Sequence, residues 1–258
     1  MSASEVKIEI KDLTMAYGSY VVMRDINARI KPGSIFVIMG ESGSGKSTLL
    51  RTMIGLQRPS QGDVCYDGHS FWSLDDEARQ VQLRKFGVSF QSGALWSSMT
   101  LAENVELPLV EYTGWTPAER QEVARLKLAL VGLSGFEHYY PAQLSGGMRT
   151  RAGLARAMAL DPEILFFDEP SAGLDPIISR NLDQLILELR DSLGATIVVV
   201  THELASIFTI ADDAIFLDAQ SRTVRVQGNP KELRDHSPDP KIKAFLTRGE
   251  SSERSANA

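Results

Sequence analysis

Residues 40–48 read GESGSGKST, one lysine among glycines and small hydroxyl residues. Such residues are costly to order and fill a core poorly, but their backbone can curl until successive N–H groups point inward. Gly40, Gly45, Lys46 and Ser47 fit G-x-x-x-x-G-K-[ST], a loop that grips a chain of phosphates. Ser42, Gly43 and Ser44 line the same curl. Lys46 is expected to reach the β- and γ-phosphates of a nucleotide, and Ser47 to give its hydroxyl to Mg²⁺, with Thr48 beside it on the phosphates. A flexible Gly/Ser turn would read the same way only without a strand before it and a helix after it. Such chemistry needs carboxylates as well, and ILFFDEP at 164–170 supplies them. An apolar strand ending in Asp168 places one carboxylate to hold the metal through water, and Glu169 can polarise a water for attack on the γ-phosphate. Alone, the same residues make an acidic strand end before a proline turn.

Elements of the right kind flank both stretches. SIFVIM at 34–39 is a short apolar run and reads as a buried strand, and KSTLLRTMIGL repeats apolar residues at helical spacing with Gly55 near its stop. Residues 6–30 alternate apolar and polar around Tyr17-Gly18-Ser19, which predicts two strands and a turn. GDVCYDG and FGVSFQ predict further strands. From about 92 to 160 the pattern is helical, and one helix there is capped by Thr116 with Pro117 in its first position. Beyond it, strand and helix alternate through EILFFD, PIISRNLDQLILELRDSL, ATIVVV, ELASIFTIA, AIFLD and TVRVQG. This is an α/β pattern with a helical insertion.

Composition narrows the classes. The chain has 258 residues, 43% hydrophobic, enough for a sizeable core. A net charge of −6 argues against nucleic acid as a partner. The single cysteine, Cys65, excludes an internal disulfide or a thiolate metal site. No apolar run is long enough to cross a membrane, and the N-terminus does not read as a secretory signal. SSERSANA at the end is polar and reads as disordered.

LSGGM at 144–148, lying between the glycine-rich loop and the FFDE strand, resembles the signature motif of ABC-type ATPases. Met148 stands where that motif usually has Gln. Read by themselves, Ser145 is a helix N-cap and Gly146 and Gly147 a glycine turn exposing N–H groups. Other positions match the family in order. Tyr17 stands where an aromatic stacks on adenine, Gln91 where a glutamine meets the metal and the water, Asp175 at the end of the D-loop SAGLD, and His202 where a switch histidine touches the γ-phosphate. The resemblance covers about residues 6–230. It implies an ABC ATPase domain over 1–248 with a RecA-like core, an N-terminal antiparallel β subdomain and an inserted α-helical subdomain at about 92–160. It leaves 249–258 as a disordered tail. It also implies ATP and Mg²⁺, and a homodimer in which Ser145, Gly146 and Gly147 act on the partner's nucleotide.

FQSGALWSSMTLAENVELPL, LSGGM and SPDPKIKAFL are similar to ATPases of Mla- and Mce-type lipid transport systems. That likeness implies a place on the cytoplasmic face of the bacterial inner membrane. It also implies a permease docked near Leu95, Trp96, Met99 and Leu101, a STAS-domain subunit and a substrate-binding MCE protein. An importer of small solutes and a regulatory envelope or cell-division module are the alternatives. Soluble ABC ATPases of DNA repair are disfavoured, because the chain has neither heptads nor a cysteine cluster.

Overall fold

The computed structural model describes the backbone of residues 6–256 and the side chains of 6–248. The readings made for 1–5 and 257–258 lie outside the described residues. The chain divides into two compact units, one running to Ser73 and resuming at Val200, the other Leu74–Val199.

The first unit opens with β1 (Ile8–Tyr17) and β2 (Tyr20–Ile30), followed by β3 (Ile35–Gly40), α1 (Lys46–Met53), β4 (Gln61–Tyr66) and β5 (His69–Ser70). β1 and β2 form the expected hairpin, Tyr17 opposite Tyr20 across Gly18 and Ser19. β1 also pairs antiparallel with β4, so the four-stranded sheet runs β2-β1-β4-β5. Ile8, Ile10, Leu13 and Met15 carry the buried face of β1. The step from Ile10 to Leu13 breaks the two-residue period at an irregularity in the ladder, where Asp12 adopts φ 45°.

The second unit begins with α2 (Asp76–Leu83) and β6 (Phe86–Ser89). A short 3₁₀ turn at Gln91–Ala94 follows, then α3 (Leu101–Tyr112), α4 (Pro117–Leu130), α5 (Gly146–Ala157), β7 (Ile164–Asp168), α6 (Pro176–Leu193) and β8 (Thr196–Val200). β7 lies between β6 and β8 and is parallel to β6. The helical insertion starts cleanly because two capping boxes fix its long helices: Thr100 with Glu103, and Thr116 with Glu119. α2 was not visible as a helix in the sequence. It buries none of its residues, so it has no apolar stripe to read.

The first unit resumes with α7 (Leu204–Ile210), β9 (Asp213–Asp218), β10 (Thr223–Gly228), α8 (Pro230–His236) and α9 (Pro240–Ala256). β3 is buried at all six positions and lies parallel to β9, which explains its unbroken apolar run. The segment from Gly249 differs from the disordered tail expected for it: the backbone continues α9 to Ala256. Ile242, Phe245 and Leu246 are buried and secure the first turns of α9, and extending a helix costs less than starting one.

A buried carboxylate ties β9, β10 and α9 together. The Asp218 side chain is wholly covered and accepts from Lys241, from Arg225 Nη1 at 3.0 Å and from Ser221 Oγ at 2.8 Å. Burial by itself would raise this carboxyl, but these donors and the Gln220 N–H outweigh it and hold it well below the usual carboxylate range. A carboxyl depressed in the folded chain contributes stability above its unfolded value near pH 4, and that contribution is lost as pH falls below it. Asp218→Asn is expected to cost about 2 kcal/mol at pH 7, the scale of hydrogen bonds to a charged group. Urea unfolding from pH 7 to pH 2 should show the gap between variant and wild type closing on the acid side; a gap independent of pH would remove Asp218 from this role.

Candidate active site

In the first unit, β3 delivers the chain to Gly40 at φ 150°. A Cβ there would lie 2.5 Å from the Leu217 carbonyl oxygen and 2.7 Å from Ser44 Oγ, so no other residue fits without moving β9 or the loop. The loop then curls, the Ser44 N–H reaching the Glu41 carbonyl at 3.2 Å, and Gly45 turns left-handed at φ 86° to start α1. That helix has no side-chain cap and no acidic residue in its first turn. Its positive end is therefore left to an anion. Lys46 is only 7% exposed, and its Nζ donates to the carbonyls of Gly40 and Glu41 at 3.0 Å each. Ser44 Oγ is enclosed and has no hydrogen-bond partner in the structure. An orphaned hydroxyl in a cradle that a Cβ would fill, beside a buried ammonium, fits a phosphate chain. Ser42 and Gly43 are exposed, and Ser47 and Thr48 are half-buried in the first turn of α1.

Two more predicted residues belong to this unit. The Thr201 N–H donates to the Ile38 carbonyl at 3.3 Å, which sets the start of the His202 loop beside β3, two residues before Gly40. His202 itself is exposed, its Nε2 3.7 Å from Glu203 Oε1. Tyr17 is half exposed, and its hydroxyl donates to Gln57 Oε1 at 2.7 Å. Gln57 orients the ring and was missed by sequence reasoning; forty residues separate the pair, and no local pattern marks it.

In the second unit, β7 buries Ile164, Leu165, Phe166 and Phe167 completely, and Asp168 ends it half-buried. Glu169 follows at φ 48°, a left-handed conformation unusual for a side chain of this kind. Gln91 opens a turn in which Ser92, Gly93 and Ala94 are all left-handed, at φ 58°, 77° and 46°. α5 holds that turn. Arg156 donates to the Gly93 and Ala94 carbonyls at 2.9 Å each, and a Cβ on Gly153 would lie 2.5 Å from Gly93 Cα. Burial pulls the Arg156 guanidinium below its ordinary value.

The signature residues begin α5. Ser145 Oγ accepts from the Met148 N–H at 3.3 Å as the N-cap. Gly147 packs so closely on α6 that a Cβ would meet Ile178 Cγ2 at 2.6 Å. Gly146 is half-buried beside it. Asp175 caps α6, accepting from the Ile177 and Ile178 N–H groups at 3.0 Å each. The starts of α5 and α6, with Ser145, Gly146, Gly147 and Asp175, thus form one cluster. The expected docking residues divide. Trp96 is exposed and Leu95 and Met99 are half-buried, but Leu101 is fully buried and belongs to the core. Helix α3 must bury its first apolar residue against its neighbours. Buried Asn104, also missed in the sequence, fixes this loop: it accepts from the Trp96 N–H at 2.7 Å and donates to the Thr100 carbonyl at 2.8 Å.

Among the described residues no group of three or more His, Cys, Asp or Glu side chains could hold a metal, and no helix is long and apolar enough to cross a membrane. Ser47, Gln91 and Asp168, the residues expected at Mg²⁺, each carry an oxygen donor of the kind that ion takes.

Known proteins are similar to this chain along most of its length. The chain is 41% identical over 243 residues to the "Probable ribonucleotide transport ATP-binding protein mkl" of Mycobacterium tuberculosis, covering 93% of this chain but 66% of that protein, just short of two thirds of its length. It is 38% identical over 244 residues to the intermembrane phospholipid transport system ATP-binding protein MlaF of Haemophilus influenzae, covering 95% of this chain and 91% of MlaF. Among solved structures, the dimeric post-hydrolysis state of the ATP-binding cassette MJ0796 with ADP and Pi superposes with a TM-score of 0.76 at 32% identity, over 86% of this chain and 98% of that one. Residues 23–172 match the family model described as ABC transporter, and with the glycine loop, the signature helix start and the acidic strand end in place, the chain belongs to the ABC transporter family.

Proposed function

We propose that this chain is the ATP-hydrolysing subunit of a bacterial envelope lipid transporter, working as a homodimer on the cytoplasmic face of the inner membrane against a permease. The observation that carries the nucleotide assignment is the cradle of the first unit: an enclosed, unpartnered Ser44 hydroxyl beside a buried Lys46 at an uncapped helix start. Similarity to MlaF along nearly its whole length supports phospholipid as the cargo. The likeness to mkl supports a small-solute importer as the second reading.

In the proposed reaction Lys46 leaves its loop carbonyls for the β- and γ-phosphates, and the loop amides take the remaining phosphate oxygens. Ser47, Gln91 and Asp168 would hold Mg²⁺, which would supply charge neutralisation to the phosphates. Glu169 accepts a proton from, or orients, the attacking water, and His202 senses the γ-phosphate. Tyr17 stacks on adenine. Ser145, Gly146 and Gly147 act on the nucleotide of the partner subunit, Asp175 ends the D-loop beside them, and the permease contacts Trp96 and its half-buried neighbours. A STAS-domain subunit and an MCE protein complete the assembly.

Lys46→Ala is expected to abolish tight ATP binding while the fold survives, checked by nucleotide titration and circular dichroism; affinity within twofold of wild type would contradict the cradle. Glu169→Gln is expected to keep ATP binding and slow hydrolysis by about 10²–10⁴-fold, the usual contribution of a positioned base. Transfer of labelled phospholipid between membranes by the purified complex should stop with that variant. Normal lipid transfer with hydrolysis abolished would refute the coupling, and ATP-dependent uptake of a small solute without lipid transfer would favour the second reading.

A further inference from the structure

The C-terminal helix α9 is not used in the mechanism above, yet it touches both the phosphate loop and the loop of His202. Lys241, Phe245 and Arg248 stand four and three residues apart and so form one stripe along about two turns of helix. At the start of the stripe, Lys241 binds the buried Asp218 carboxylate, and its Nζ lies 3.9 Å from Glu41 Oε2 in the phosphate loop. In the middle, Phe245 packs edge-on against Phe216 of β9, ring centroids 4.9 Å apart. At its end the Arg248 guanidinium lies 4.2 Å over the Phe245 ring, and Nη2 donates to the His202 carbonyl at 3.1 Å. The stripe therefore runs from the second residue of the phosphate loop to the peptide of the predicted switch histidine. Each contact sits on a rigid base. Asp239 fixes the beginning of α9 by accepting from the Lys241 N–H at 2.9 Å and from Arg225 Nε at 2.6 Å, and Ile242 and Leu246 bury the adjoining face.

We propose that α9 sets the backbone position of the switch, with Arg248 as a positioning residue that holds the His202 peptide and Phe245 and Lys241 as its anchor to β9 and the phosphate loop. This rests on the reading of the chain as an ATPase with His202 at the γ-phosphate. His202 follows Thr201, whose N–H is bonded to β3, so one side of its peptide is already tethered. Arg248 tethers the other side. The imidazole then swings from a fixed pivot, and its approach to a phosphate depends on that pivot. Arg248 donates to the His202 carbonyl, outside the Gly40–Thr48 cradle, so its removal is expected to slow hydrolysis while ATP binding persists.

The test uses the full chain with ¹³Cε1-labelled histidine, of which the sequence has four. The His202 ring signal is assigned by its loss in His202→Asn. Arg248→Ala is expected to shift that signal and leave the other three in place, and Arg248→Lys, which keeps a donor, to restore it in large part. In steady-state hydrolysis Arg248→Ala should lower kcat by about 3- to 10-fold, the worth of one hydrogen bond, with KM for ATP unchanged. Arg248→Ala in the His202→Asn background should add nothing. An unmoved His202 signal with unchanged kcat overturns the proposal, as does a matched change in KM with a lowered melting temperature, which marks a merely structural contact. If His202→Asn itself hydrolyses ATP at the wild-type rate, the ATPase reading of His202 fails, whereas the ring spectrum still decides the contact.

Discussion

The buried charge of Lys46 is the constraint around which the first unit is arranged. An ammonium that is 7% exposed must be paired or hydrogen-bonded, and here two backbone carbonyls of its own loop accept from it. Those carbonyls can face inward only because Gly40 and Gly45 take conformations closed to other residues. Gly40 in turn can sit against the Leu217 carbonyl only because β9 runs parallel beside β3 in a register that sets Gly40 opposite Leu217. Loop, strand pair and helix start therefore form one constraint. The charge is held by groups that a phosphate chain can replace, since its oxygens are stronger acceptors than amide carbonyls.

The second unit keeps its chemistry under strain instead. Glu169, Ser92 and Ala94 occupy left-handed backbone that costs each of them on the order of 1–2 kcal/mol. Such conformations persist only where surroundings over-determine them. For Ser92 and Ala94 the surroundings are specific: the two hydrogen bonds from Arg156 and a glycine-on-glycine contact between Gly93 and Gly153. The turn after Gln91 is thereby fastened to the body of α5, whose N-cap is Ser145 and whose first residues are Gly146 and Gly147. A displacement of that helix carries the Gln91 turn with it. Asn104 likewise fixes the loop of Trp96 within the same unit.

The two units thus solve different problems with the same backbone chemistry. The start of α1 is left open where an anion is expected, whereas α2, α3, α4, α5, α6 and α8 are closed by their own N-cap side chains. Ser145 and Asp175 are instructive because they cap α5 and α6 themselves in this chain. For either oxygen to meet another group, it must share or exchange that bond.

Local chemistry was legible in the sequence, and so were the elements that present it. Glycines at positions that only glycine tolerates, an isolated lysine at a helix start, apolar runs of strand length and a threonine cap followed by proline each act within a few residues. Their physical meaning therefore survives without the fold. The hairpin at Gly18, the strands around 35–40 and 164–168, and the helices from Pro117 and Pro176 all stand where these signals put them. What the sequence could not show depends on residues far apart in the chain. Helix α2 buries nothing and so left no period to read. Leu101 read as surface until its neighbours covered it, and the polar end of α9 read as disorder until buried residues upstream carried the helix through it. The partnerships of Gln57 with Tyr17, of Arg156 with the Gln91 turn and of Arg248 with His202 span 40 to 63 residues. Residue type and local spacing determined which chemistry this chain can do; only the tertiary structure decided which distant groups hold that chemistry in place, because those contacts are set by packing.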